Sequence, residues 1–181
     1  MKISRVVTSA LLACSAAVFA APVQAQMPEP YRAVQMRMVQ LQRRMLLSMV
    51  DSMPESLLRD RVTPEQRHFA GQIAHAVVPF GAFLPRLMGA APPPAVAVDT
   101  ATAFTSRAAL RTMVNAAFDY AEGVLGNQRS AEREQIVNMF GNQIPRWQVW
   151  DELHQHTIWT AGQIVANFRK HGMAPPGFGF F

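Results

Sequence analysis

DELHQHTIWTAGQIVANFRKHGMAPP, residues 151–176, is the stretch that decides the fold of this chain. It reads as one long helix that ends at Gly172 and runs into the stop Pro175-Pro176. His156, Thr160, Gln163 and Asn167 fall at i, i+4, i+7 and i+11, so they form one polar stripe along it. Leu153, Trp159, Ile164, Val165 and Phe168 supply apolar surface on the other sides. On a surface helix such a stripe ordinarily faces water. This one contains a His, and a second His, His75, closes the run Gln72-Ile73-Ala74-His75 far upstream.

Working outward, Thr63-Pro64-Glu65-Gln66 carries the marks of a helix start: Thr63 as cap, Pro64 first, Gln66 as in a capping box. The predicted helix runs to about Val78, with Phe69, Ile73, Ala76 and Phe80 on its apolar side. His68 and His75 share a face but lie two turns, roughly 10 Å, apart, so one metal cannot take both. For His75 alone, the bland reading is a hydrogen-bonded core histidine. Tyr31 to Ser52 reads as the first long helix, with Val34, Met38, Leu41, Met45 and Met49 at helical spacing. Met45, Met49 and Met53 at i, i+4 and i+8 either fill an irregular core or form a soft thioether site for copper(I). Core is the reading the spacing favours.

Pro79 to Ala103 reads as a long connection that lies against the bundle, because Gly89-Ala90-Ala91-Pro92-Pro93-Pro94 cannot be helix. Thr105 or Ser106 caps a third helix that ends near Gly126, and Ala131 to Phe140 reads as a short extra helix. The last helix starts near Pro145. There is no internal repeat, no strand-like alternation, no Gly-rich phosphate loop, and no Ser-His-Asp or paired-carboxylate arrangement. The fold class is therefore all-α, a four-helix bundle with a long crossover connection and one short extra helix.

The first residues stand apart. Lys2 and Arg5 precede the uncharged run Val6 to Ala20, and Val23-Gln24-Ala25 fits a small-x-small cleavage site. This predicts a signal peptide over 1–25, a mature domain over 26–181, and a periplasmic or secreted protein. The run is too short for a retained membrane helix and no stop-transfer pattern follows, so no integral membrane segment is expected after cleavage. Leu11-Leu12-Ala13-Cys14 also resembles a lipobox, the alternative being a lipoprotein anchored through Cys14. Cys14 is the single cysteine, so cleavage after Ala25 leaves no thiolate, disulfide or Cys-ligated zinc. The formal net charge is +5, and cleavage lowers it by two. Its Arg residues are spread along helices without the clustered, aromatic-interleaved pattern of a nucleic-acid surface. At the other end, Gly177-Phe178-Gly179-Phe180-Phe181 is expected to pack on the bundle or a partner.

The order of pieces then acquires a name. Ser52-Met53-Pro54-Glu55, Thr63-Pro64-Glu65 and Gly71-Gln72-Ile73-Ala74-His75 are followed by His156-x-x-x-Thr160-Ala161-Gly162-Gln163, Phe168-Arg169 and His171-Gly172-x-x-Pro175-Pro176. From about residue 30 to 177 the chain resembles the DinB-like superfamily of four-helix bundles. The resemblance implies a bundle with a long crossover, often a homodimer. It also implies a divalent metal, commonly zinc or nickel, held by one His of the second helix and two, four apart, of the last. Characterised relatives include thiol transferases and isomerases.

Carried onto this chain, His75 matches the first ligand, His156 the second, and the third position falls on Thr160. A Thr hydroxyl is a poor ligand for zinc or nickel. His154 is turned about 160° away from His156 around the helix and should not replace it. Trp159, beside Thr160, is expected to fill space that a metal would keep open, with Gln163 and Gln72 completing a pocket. Three functions follow as expectations. The first is a binding or structural protein with a degenerate metal site and an unknown small-molecule ligand. The second is a divalent-metal-dependent hydrolase or thiol transferase using His75 and His156, with Gln163 orienting a ligand or water. The third is copper(I) handling through Met45, Met49 and Met53.

Overall fold

The structure, a computed structural model, describes residues 29–177. Residues 1–25, where the sequence predicts a signal peptide, with Cys14 among them, and the Phe residues of the tail lie outside the described residues. Five helices and one hairpin follow in order: α1 (Glu29–Ser52), α2 (Phe69–Met88), α3 (Thr100–Ala103), α4 (Arg107–Asn127), β1 (Ile136–Met139), β2 (Asn142–Pro145) and α5 (Arg146–Lys170). The four long helices are a bundle, as the periodicity predicts. No helix among the described residues is long and apolar enough to cross a membrane.

Neighbours in the bundle follow from which side chains meet. α2 packs on both α4 and α5, α1 packs on α4 and α5, and α1 and α2 lie across a diagonal. Phe69 meets Phe168 edge to face and Gln72 bonds Gln163, so α2 and α5 are antiparallel. Arg32 of α1 reaches Gly126 of α4, and Arg111 of α4 pairs with Asp51 of α1, so these also run antiparallel. Met88 at the end of α2 lies beside Gln128 after the end of α4, so α2 and α4 run parallel. Parallel neighbours need a crossover, and residues 89–106 provide it. Tyr120 fastens that crossover by donating to the Ala91 carbonyl at 2.6 Å, and Val98 lies so close to Gly81 that an added Cβ would stand 2.6 Å from it.

Three expectations about the elements need correction. First, α2 does not begin at Thr63. Residues 63–66 form a turn whose carbonyls at Pro64 and Gln66 accept from Arg61. The helix begins at Phe69, because His68 caps it: its Nδ1 accepts from Gly71 N at 2.9 Å. The first amides, of Phe69 and Ala70, are already taken by the carbonyls of Asp60 and Leu58. Second, α2 continues past Val78, through Pro79 and Pro85, to Met88, and stops at Gly89 with φ +67°. Each proline costs a helix about 3 kcal/mol. Val77, Phe80, Leu84 and Leu87 are buried, at roughly 1.5–3 kcal/mol apiece, which matches or exceeds that cost. Third, Ala131 to Phe140 is not a helix. A short 3-10 turn at Ser130–Glu132 leads into the antiparallel hairpin β1–β2, in register Met139 opposite Asn142. Ile136-Val137 supplies β-branched residues, and Phe140-Gly141 is a two-residue turn with both φ positive.

Met49 and Met53 lie in the core and Met45 packs against it, so all three act as filling. The C-terminal end of α5 is held by the loop before α2. Asp60 Oδ2 accepts from Lys170 Nζ at 2.8 Å and lies 2.7 Å from His171 Nε2. These donors hold its carboxyl down, at about 2. Gly172, φ +67°, then ends the helix where the sequence places its stop.

Candidate functional site

The polar stripe of α5 faces inward. Thr160 and Asn167 are buried, and His156 and Gln163 are half-buried against α2. Antiparallel packing brings His75 opposite His156, with their Nε2 atoms 3.2 Å apart and the rings edge to face. Gln72, one turn before His75, donates to Gln163 Oε1 at 3.2 Å, so both glutamines lie in the same α2–α5 seam. Thr157 Oγ1, on the turn that carries His156, donates to the Leu153 carbonyl at 2.9 Å and bridges to the Ala76 carbonyl at 3.3 Å.

Burial, then the nearby Arg67 guanidinium, lowers the pKa of both His75 and His156; for His75 the facing His156 adds to it. Both imidazoles are neutral at neutral pH. A neutral pair shares one N–H···N bond, so the two rings hold opposite tautomers. His156 Nδ1 and Gln72 Oε1 are buried without a hydrogen-bond partner among the described residues. A buried polar atom left unpaired is costly, which marks the seam as a place where something other than packing sets the residues.

The implied metal can be tested against these side chains. Two nitrogens bound to one tetrahedral zinc at about 2.05 Å stand about 3.3 Å apart, close to the 3.2 Å seen here. The rest of the set does not fit. Thr160 occupies the third position at 1 % exposure, a hydroxyl where an imidazole is needed. Among the described residues no three His, Cys, Asp or Glu side chains are placed to hold a metal together. A ligating His ordinarily has its second ring nitrogen bonded, and His156 Nδ1 is not. His154 points the other way, into α1, with Gln35 Oε1 2.7 Å from Nε2 and Gln42 Oε1 3.1 Å from Nδ1. Trp159 does not fill the metal space; it is 76 % exposed, because position 159 is rotated off the seam.

The His pair opens on a cavity of about 820 Å³ between α2, the hairpin and α5. Val78, Phe83, Met139, Phe140, Ile144 and Leu153 are among its apolar lining, Asn142 and Gln143 of the hairpin are polar, and Glu152 and Gln148, bonded to each other at 3.1 Å, stand on its α5 side. The hairpin residues are absent from the sequence-based pocket because 131–140 reads as helix there. The usable signal is Phe140-Gly141 between Val137/Met139 and Ile144. Glu152 was legible too, as it lies one turn before His156 on the same face.

No protein-family model matches this chain, and no curated protein sequence does. The chain is similar in structure to a DinB-like protein from Bacillus cereus, with TM-score 0.63 and 14 % identity over 79 % of this chain and 94 % of that one. At that identity the likeness is one of fold: this chain has a DinB-like helical bundle.

Proposed function

We propose that this DinB-like bundle is an exported protein that binds a small, largely apolar molecule in the cavity beside His75 and His156. In this reading its metal site is degenerate at Thr160. The observation that carries it is the cavity's composition: apolar side chains of α2, the hairpin and α5 make up more than half of its lining, and His75, His156 and Glu152 give it a polar side without a third His. Pockets of this size and lining are the usual form of small-molecule sites. Export rests on the sequence of residues 1–25. A homodimer, implied by the resemblance, is a separate proposal that light scattering on the mature chain decides.

A second reading has one observation in its favour. The 3.2 Å separation of the His nitrogens suits two positions on a divalent ion, as a metal-dependent hydrolase or thiol transferase would need. Export counts against the thiol version, since reduced low-molecular-weight thiols are mainly intracellular.

Metal analysis separates the two. Mature protein purified without chelator or immobilised nickel should carry far less than one zinc or nickel per chain. Thr160→His should gain it, and adding His75→Ala should remove it again. Because Thr160 is buried, the larger ring must displace neighbours, so near-UV circular dichroism should accompany the measurement to establish that the variant is folded. Near-stoichiometric metal in the unaltered protein, lost in His75→Ala, would overturn the degenerate-site reading in favour of the enzyme.

A further inference from the structure

Phe140 sits where its residue type is ill suited. It is the first of two residues in the turn between β1 and β2, with φ +53°, and Gly141 follows at +88°. Two positive φ values in a two-residue loop make a type I′ turn, which favours Asn, Asp or Gly at both positions. A Phe there is strained, because its Cβ crowds the following carbonyl. Packing does not explain the choice, since Phe140 is 76 % exposed. The neighbouring Asn138 already closes the turn by accepting from Gly141 N at 2.9 Å, so the turn has its own polar lock.

The ring is nevertheless placed. It lies edge to face with Phe83 of α2, centroids 5.2 Å apart, and both rings line the cavity that holds His75 and His156. An aromatic held at the rim by a strained backbone, with one face open, is the arrangement of a ligand clamp. We infer that Phe140 is a specificity-determining residue of this cavity. It closes on the planar apolar or aromatic body of a ligand whose polar head reaches His75 and His156. This rests on the small-molecule reading above. The polar end, where the Glu152 carboxylate stands one turn from His156, suits a neutral or cationic hydrogen-bonding head rather than an anion.

The test uses the mature full chain and 1-aminoanthracene, a fluorescent probe with a planar aromatic body and a neutral amine head. The unaltered protein should bind it saturably, and Ala82→Trp, which projects a large ring into the cavity from an exposed position of α2, should abolish that binding. Phe140→Asn should move two readouts in opposite directions. It should raise Tm by about 2–4 °C, as strain is relieved, and weaken probe binding about tenfold. Phe140→Tyr should keep the affinity. Unchanged affinity in Phe140→Asn would overturn the clamp while leaving the cavity reading intact. A lowered Tm would also overturn it, since the ring would then be a packing residue. Absence of saturable binding, or binding indifferent to Ala82→Trp, would sink the cavity reading and the clamp with it.

Discussion

Trp150→Ala should lower the unfolding free energy by about 4 kcal/mol, a large part of what a domain of this size has. Trp150 is fully buried on α5, and its Nε1 donates to Gln128 Oε1 at 2.8 Å. Gln128 follows the last turn of α4 and its amide lies 3.8 Å from Met88 Sδ at the end of α2. The indole thus ties together the ends of three helices at the point where the chain turns toward the hairpin. Truncation removes the largest fully buried side chain among the described residues and leaves the buried Gln128 oxygen unpaired. The two effects add, because neither neighbour is a flexible surface group that can fill the space. Urea unfolding followed by circular dichroism should show the midpoint falling with an unchanged m-value. Trp150→Phe should fall between, since it keeps most of the volume and still orphans Gln128. A loss below about 1 kcal/mol in the alanine variant would show that the helix ends close over the gap.

The bundle was legible because its signals are local and redundant. α1, α4 and α5 carry apolar residues at helical spacing, and Ser106, Gly172 and the Pro-rich stretch mark boundaries that the structure keeps. α2 was misread at both ends by rules that consider only the helix itself. Thr63-Pro64 is a sound cap, but the first amides of α2 are taken by Leu58 and Asp60 of a folded-back loop, which no local rule contains. Pro79 and Pro85 are sound breakers, yet tertiary burial of Phe80 and Leu84 carries the helix across them. The hairpin was missed for a different reason: four-residue strands give too short an alternation to stand against helical propensity. His75 and His156 stood out from the residues alone, but that they face each other was legible only through the resemblance. The cavity beyond it was not, because about a third of its lining residues come from that hairpin.

His154 should make stability fall as pH drops from about 6.5 to 4. The residue is 4 % exposed, and burial pushes its pKa down to about 4. Gln35 Oε1 and Gln42 Oε1 face its two ring nitrogens, and a protonated ring would donate to both. Those oxygens favour the charged form and burial opposes it. Burial wins because no carboxylate touches the ring: Asp151 reaches it only through the Gln35 amide. The unfolded chain then binds the proton at about 6.5 and the folded one only near 4, so the unfolded state holds more protons between these values. Stability is complete above about 6.5, declines as pH falls through that window, and loses no more below it. At about 1.4 kcal/mol per pH unit the total is roughly 3 kcal/mol. His68, His75 and His156 are also lowered by burial and add to the same slope. Their share is isolated by comparing the pH dependence of unfolding with that of His154→Leu, which should be less stable at pH 7 but flatter between 6.5 and 4. An imidazole titration by NMR with a midpoint above 6.5 for His154 would mean that the two amide oxygens outweigh burial. The sign would then reverse, and the protein would gain stability on acidification.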